Sequence, residues 1–301
     1  MAHSIEHLAT LLAFSELLPA EPRDLSDLLQ TAGGLERLVE GTDDLGHNRG
    51  RDLLIYLRRS NSLDRSAFWI DVLTKLMEDR PTVQCLIVTD SDYPDLLRSA
   101  YNCPPFIFLD GTYRSTDAVS LAVVGSRKAD DQTLEFTEEL SIACARNRVT
   151  VISGLAQGVD AAAHRSSLRA GGRTIGVIAS GIDQPVYPPS NARLAESVTK
   201  SGCIVSQFRP GSPATASAFV ARNAVISALA PASLIAEAAE RSGTRSEAEH
   251  ALKQGRLVLL WAPIVKQQWA QRFMHEPGVM IVETVRDVLE VLRSMSVFHI
   301  E

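Results

Sequence analysis

From Val119 onward, short apolar runs alternate with helical segments, and this pattern restricts the fold more than any other feature of the chain. The runs VSLAVVG, VTVIS, TIGVIAS, CIVSQF, SLIAEA and LVLLWA are nearly continuous in apolar side chains. Strands of this kind are buried on both faces, as in a parallel sheet covered by helices. The repeated strand–helix units predict an α/β fold over residues 119–301, with a doubly wound, mostly parallel Rossmann-like sheet.

The first 118 residues follow a different pattern. Apolar residues recur at helical spacing between Ile5 and Met77, with breaks that contain Gly or Pro. This spacing predicts a small all-helical domain over residues 1–80. In the bridging segment, residues 81–118, CLIVTD and PPFIFLDG predict two short strands that add to an edge of the sheet.

Composition and charge exclude several classes of protein. Hydrophobic content of 45% and charged content of 22% are those of a globular protein. No run approaches the ~20 apolar residues of a membrane helix, and charges within the N-terminal apolar stretch favour a helix over a signal peptide. We therefore expect no membrane partner. The four cysteines lack metal-ligand spacing, so we expect buried thiols, a cytoplasmic location and no bound metal.

The net charge of −6 is distributed unevenly. Residues 1–80 hold 14 of the 36 acidic residues but only 9 of the 30 Lys and Arg residues. This acidic balance favours a packing or protein-interaction role for the helical domain over contact with nucleic acid. In the remainder of the chain most basic residues are arginines, which suit bidentate contacts with phosphate.

Glycine or a small polar residue follows each of five predicted strands. The five turns are Gly125-Ser126-Arg127, Ser153-Gly154 to Gly158, Ser180 to Asp183, Gln207 to Gly211, and Glu237 with Ser242-Gly243-Thr244. In open α/β sheets, ligands bind outside the carboxyl ends of the strands. Glycine turns before helix N-termini leave backbone N–H groups free to bind anions. We therefore expect phosphate binding at this edge, with Arg127 as a direct contact.

Other polar residues near these turns have competing interpretations. Asp160 either caps the helix that follows Gly158 or contacts a ligand. We expect His164 to be a hydrogen-bonded structural residue, because the chain has no nucleophile motif such as G-x-S-x-G. Arg222 and Asn223 are predicted at the start of an apolar helix, where asparagine caps and arginine reaches the phosphate edge.

Glu237 ends a predicted buried strand, where an unpaired carboxylate is costly. We expect Arg127, Arg222 or a ligand to satisfy it. The chain has neither G-x-G-x-x-G after the first strand nor G-x-x-x-x-G-K-[ST], so we expect no NAD or other cofactor. These features predict a binding protein rather than an enzyme.

Taken in order, these blocks resemble the DNA-processing protein DprA (Smf) family, of the SMF/DprA–LOG type. The resemblance runs from about Asp92 to Pro263. It rests on the blocks SDYPDLLRSAYNCPPFIFLDG, VVGSR, ISGLAQGVDAAAHRSSLRAGG, YPPSN, RNAVIS, EAAERSG and QGR. It implies a Rossmann-like protein that binds single-stranded DNA, often as a dimer, and passes the DNA to a RecA-type recombinase during DNA uptake.

The resemblance also assigns roles to particular residues. It implies contact with DNA phosphates by Gly125, Ser126 and Arg127, extended by Ser153, Gly154, Gly158, Arg222 and Asn223. The chain departs from the family pattern in having KADDQT after Arg127, Gln207 in place of the usual Glu, and TRSEAEH after Gly243.

The last departure supports a second interpretation. Gly243 to Glu247 has the G-T-x-x-E form of the related nucleotide phosphoribohydrolases, in which a Glu and an Arg act on a ribose phosphate. Here Glu247 and Arg245 occupy those positions. This resemblance implies a nucleotide sensor or a nucleoside-monophosphate phosphoribohydrolase-like enzyme, and phage defence is one setting for it. A protein-interaction scaffold built on the acidic helical domain is the third interpretation.

Overall fold

The computed structural model describes residues 3–17, 22–32, 35, 62–239 and 243–295. The chain divides into two compact units, Met1–Phe108 and Leu109–Glu301. The helices expected between residues 36 and 61 lie outside the described residues, as does Ser242. The three predicted domain boundaries remain predictions beside this division.

The first unit is helical over the described part of its N-terminal region, as the spacing of apolar residues predicted. Its elements are α1 (Ile5–Leu17), α2 (Pro22–Ala32), α3 (Ser62–Asp79), β1 (Val83–Ile87) and α4 (Asp95–Arg98). Helices α1 and α3 pack together, and α1 buries its leucines Leu8, Leu11 and Leu12. Strand β2 (Phe106–Gly111) then runs into the second unit.

The second unit contains a parallel sheet whose strands, apart from the C-terminal edge strand, are buried along most of their length. Its strands are β3 (Ser120–Val124), β4 (Thr150–Ser153), β5 (Thr174–Val177), β6 (Cys203–Ser206), β7 (Ala232–Ile235), β8 (Leu257–Trp261) and β9 (Val279–Val282). They lie in the order β6-β5-β4-β3-β7-β8-β9, and every neighbouring pair is parallel. The end of β2 borders β6, where the Thr112 N–H donates to the Gly202 carbonyl (2.8 Å).

Helices cover both faces of this sheet, which confirms the predicted doubly wound Rossmann-like fold. They are α5 (Asp131–Arg146), α6 (Val159–Arg169), α7 (Ala192–Ser201), α8 (Ala216–Leu229), α9 (Gly243–Lys253), α10 (Gln268–Phe273) and α11 (Val285–Ser294). Helices α5 and α6 pack together, as do α8 and α9. On the α5 side, the Phe136 ring stacks on Trp261 with centroids 4.5 Å apart, above a core of strand leucines and valines.

The order in which strands are added to this sheet changes side between two neighbouring parallel strands. From β3 the chain builds outward through β4, β5 and β6, and then returns to the other side of β3 to form β7, β8 and β9. In such a sheet the crevice outside the carboxyl ends of the two strands at the reversal, β3 and β7, is the expected ligand site.

Candidate nucleic-acid interface

A cavity of about 860 Å³ lies outside the carboxyl ends of β3 and β7, and we call it the strand-end cavity. It brings together residues from three of the five predicted turns and from α6, α8 and α9. The residues singled out in the sequence that line it are Gly125, Ser126, Arg127, Asp160, Arg222, Asn223, Gly243, Thr244 and Glu247. Most of the predicted phosphate contacts therefore share one surface.

The turns around this cavity are joined to one another. Gly158, the N-cap residue of α6, has φ +73°, and a Cβ at this position would overlap the Ser126 carbonyl. The Val159 N–H donates to that same carbonyl (3.2 Å), and the Thr244 hydroxyl donates to the carbonyl of Gly125 (3.3 Å). The backbone after β3 is thus held by the start of α6 and by the start of α9.

Asp160 holds a turn and does not cap α6. Its carboxylate accepts from the N–H groups of Gly154 (3.2 Å) and Ala156 (3.3 Å), which precede the helix, and Gly158 occupies the N-cap position. Burial raises the pKa of Asp160, and the nearby Arg222 charge and these two amides oppose that rise. The Ser153 hydroxyl is buried and donates to Val123 O (2.6 Å), so this side chain connects the end of β4 to β3.

His164 is buried on α6, away from the cavity surface. Its Nδ1 lies 2.6 Å from the Thr174 hydroxyl, which donates to the Val151 carbonyl (2.8 Å). Because that hydroxyl has one proton, Nδ1 carries a proton and donates to it. Burial and the Arg222 charge lower the pKa of His164 to about 3, so the ring is neutral at neutral pH.

Arg222 and Asn223 lie within α8 and not at its start, which corrects the sequence interpretation. The helix begins six residues before Arg222, and Thr215 caps it by accepting from the Ala218 N–H (3.1 Å). The Asn223 amide donates to the Gly243 carbonyl (3.0 Å), which connects α8 to the start of α9.

The Arg222 side chain is only 5% exposed and forms part of the cavity floor. Its Nη1 donates to the Val177 carbonyl (3.1 Å). The guanidinium occupies the space where any residue other than glycine at position 154 would place its Cβ. The absence of a side chain at Gly154 therefore creates the room for this buried cation.

The sequence predicted a buried carboxyl group at Glu237, but in the structure the buried carboxyl group is that of Glu247. Glu237 is half-buried and accepts from the Asp130 N–H (3.3 Å), which is a surface contact. Glu247 is 1% exposed, and its Oε1 has no hydrogen-bond partner among the described residues. Burial and the charge of Asp160 raise the pKa of Glu247 well above its ordinary value, while Arg222 opposes the rise.

Sequence reasoning missed two aromatic side chains at the cavity. The Phe219 ring lies 5.5 Å from the guanidinium carbon of Arg127 and 5.6 Å from that of Arg222, and the Tyr187 ring meets Phe219 edge-on at 5.7 Å. Tyr187 is 52% exposed. Their signal was the spacing of Phe219 and Arg222, three residues apart on one helix face, together with the tyrosine of the YPPSN block.

Arg245 does not line the strand-end cavity with Glu247, the residue with which it was expected to act on a ribose phosphate. Its Nε donates to Glu249 (3.1 Å), one turn along α9. Arg222 is the arginine that shares the cavity with Glu247. Asp130, in the unexpected KADDQT segment, is the N-cap of α5 and accepts from the Thr133 N–H (2.7 Å).

Three further findings concern the described residues as a whole. No helix among them is both long and apolar enough to cross a lipid bilayer. Nor do the described His, Cys, Asp and Glu side chains form a group of three suited to a metal ion. All four cysteines are free thiols.

Comparison with known proteins identifies the family. Residues 84–293 match the family model described as DNA recombination-mediator protein A. The chain belongs to this family. The match confirms the resemblance inferred from the sequence blocks and extends it on both sides.

Related proteins agree with this assignment. The chain is 37% identical over 172 residues to protein Smf of Synechocystis sp., an alignment that covers 56% of this chain and 43% of Smf. The chain therefore spans less than half the length of that relative. In fold it is similar to the X-ray structure of DNA processing protein A (DprA) from Streptococcus pneumoniae, with TM-score 0.72, 26% identity, and coverage of 96% and 98% of the two chains.

A second solved structure is similar in fold at 22% identity. It is DNA processing protein A from Helicobacter pylori, with a TM-score of 0.61 and coverage of 70% of this chain and 95% of that one. That structure concerns the single-stranded DNA binding mode of the Helicobacter pylori protein.

Proposed function

We propose that this chain is a DNA-processing protein that binds single-stranded DNA across the strand-end cavity. The turn Gly125-Ser126-Arg127 would contact backbone phosphates, and the rings of Phe219 and Tyr187 would stack on bases. The family assignment supports this proposal, as does the single-stranded DNA binding mode of the Helicobacter pylori relative. Backbone-tracking cations combined with aromatic platforms are the common solution for binding a single strand without reading its sequence.

The observation that carries the proposal is the arrangement of Arg127 above Phe219. Arg127 is exposed, and none of the ion pairs found among the described residues involves it. Its guanidinium carbon lies 5.5 Å from the centre of the Phe219 ring, so one place offers both a free cation and a stacking surface. A phosphate and its neighbouring base fit these two groups together.

Binding to a labelled oligonucleotide across a salt series tests the proposal. We expect affinity to fall as salt rises, and Arg127→Ala to reduce the slope of log affinity against log salt by about 0.7. Phe219→Ala should weaken binding about 10-fold with an unchanged salt slope, because stacking involves no counterion release. The matched control is Arg146→Ala, which removes an exposed arginine near the opposite ends of the strands. Undetectable binding, or binding indifferent to salt, would rule out the proposal.

The remaining features of the family interpretation are proposals of the same kind. Transfer of the DNA to a RecA-type recombinase predicts that this protein speeds recombinase loading on coated single strands. A homodimer predicts twice the chain mass in sedimentation. Both follow from the resemblance alone. A cytoplasmic location is proposed from the cysteine usage.

A nucleotide is the second candidate ligand, because the cavity floor places the buried Glu247 within electrostatic reach of Arg222. A carboxyl group beside a cation suits cleavage through an oxocarbenium-like transition state. This alternative predicts release of base from a nucleoside monophosphate, abolished by Glu247→Gln. Absence of both hydrolysis and a thermal shift with nucleotides would eliminate it.

A further inference from the structure

Two buried polar groups of the strand-end cavity have hydrogen-bonding atoms without partners. Glu247 is 1% exposed and Arg222 is 5% exposed, and both line the cavity. Among the described residues, neither Glu247 Oε1 nor Arg222 Nε has a hydrogen-bond partner. A polar atom that is buried without a partner destabilises the fold, so two of them in one cavity indicate that a ligand completes their bonding.

The neighbouring carboxylate shows what a purely structural role looks like. Asp160 is buried in the same cluster, but its carboxylate accepts two backbone N–H groups and fixes the turn after β4. Arg222 uses only part of its hydrogen-bonding capacity. Its Nη1 donates to the Val177 carbonyl, whereas its Nε has no partner among the described residues. Glu247 lines the cavity, and its Oε1 accepts no hydrogen bond from the described residues.

The unused atoms form a set with definite chemistry. The two oxygens of an ionised Glu247 accept two adjacent N–H groups, and these hydrogen bonds oppose the rise in its pKa that burial causes. The Arg222 Nε–H donates to one acceptor. Among the DNA bases, guanine alone has two adjacent donors on its Watson–Crick edge, the ring N1–H and the exocyclic N2 amine, followed by the O6 acceptor. Thymine and cytosine have one donor there, and adenine has no donor on the ring nitrogen.

We infer that the floor of the strand-end cavity is a guanine-selective base subsite, formed by the Glu247 carboxylate and the Arg222 Nε–H. This inference rests on the proposed binding of single-stranded DNA. The Phe219 ring, 5.6 Å from the Arg222 guanidinium, is the neighbouring surface on which a base entering the cavity would stack. The subsite adds a preference at one position of a strand whose other bases are bound without selection.

Oligothymidylates of about 15 nucleotides that carry one central replacement test the inference. The replacements are guanine, hypoxanthine and adenine. Hypoxanthine differs from guanine only in lacking the N2 amine, so this pair isolates the contact with the carboxylate. We expect the guanine strand to bind about 10-fold more tightly than the hypoxanthine, adenine and all-thymine strands.

Variants locate the preference. Glu247→Leu should abolish the guanine advantage, and its circular dichroism and cooperative unfolding transition should show that the variant is folded. Glu249→Leu, on the exposed side of the same helix, is the matched control and should retain the preference. A second variant, Glu247→Gln, keeps one acceptor and should retain only part of it.

The outcomes separate this inference from the proposed function. If all strands bind the wild-type protein with equal, salt-dependent affinity, the guanine subsite is overturned and DNA binding stands. A guanine preference that survives in Glu247→Leu also overturns it. If no strand binds, both the proposed function and the subsite are wrong.

Discussion

The two ends of the parallel sheet each hold a buried carboxylate beside an arginine, but only one of these sites is complete. At the amino ends, Asp117 accepts two hydrogen bonds from Arg173 (2.7 and 2.8 Å), one from Thr150 and one from the Arg114 N–H. Arg173 also donates to the carbonyls of Ser201 and Thr112. At the carboxyl ends, Glu247 Oε1 and Arg222 Nε have no partner among the described residues. The first site is a structural clamp, and the second has the bonding capacity of a binding site.

Breaking the complete site should have the largest effect. Asp117→Ala would leave Arg173, Thr150 and one backbone N–H without their acceptor. We expect the free energy of unfolding to fall by about 4 kcal/mol, as when one partner of a buried ion pair is removed. Denaturant unfolding measures this loss. The folded fraction should bind oligonucleotide like the wild type, and an unchanged stability would contradict the structural role.

Lowering the pH should destabilise the fold through a third buried group, His164. The neutral ring of this residue donates a hydrogen bond to the Thr174 hydroxyl. Its pKa is lowered from 6.5 to about 3, so below pH 6.5 the unfolded chain takes up a proton that the folded chain does not. Stability is therefore intact above about pH 6.5 and falls by about 1.4 kcal/mol per pH unit toward pH 3. Between about pH 6.5 and 4 we expect a loss of about 3 kcal/mol from this residue.

Unfolding curves at several pH values measure this contribution. His164→Asn, which retains an N–H donor for Thr174, should show a correspondingly shallower dependence on pH. Equal slopes in the two proteins would assign the acid sensitivity to other groups.

The smallest effect should have the opposite sign to the first. Glu247→Leu removes a buried carboxyl group that lacks a partner, so we expect the free energy of unfolding to rise by about 1 kcal/mol. Thermal and denaturant unfolding in the absence of ligand measure it. A loss of stability comparable with that of Asp117→Ala would mean that Glu247 belongs to a satisfied structural network, and the contrast between the two ends would disappear.

The sequence predicted the sheet and much of the cavity for a common reason. Buried parallel strands are apolar throughout, and their carboxyl ends converge, so the turn at Gly125 to Arg127 and the start of α9 were expected at one edge. Helix α10 was missed because its six residues, Gln268–Phe273, are too few to show a helical period of apolar side chains.

Contacts between distant residues could not be predicted in this way. Neither Asp117 nor Arg173 has a local signal for the other, because only the folded sheet brings their two loops together. The sequence analysis predicted Glu237, and not Glu247, as the buried carboxyl group for a similar reason. A strand end looks buried in sequence, whereas Glu247 is buried because α9 packs against α8 and against strands β7 and β8.

The guanidinium beneath Gly154 makes positions 154 and 222 mutually dependent. Alanine at position 154 would displace the Arg222 guanidinium, and the Val177 carbonyl would lose its hydrogen-bond donor. A smaller residue at position 222 would relieve that clash but remove the cation from the cavity. The residue at each position therefore limits which residues fit at the other. A side chain can be introduced at position 154, in evolution or by design, only after Arg222 has been replaced by a smaller residue.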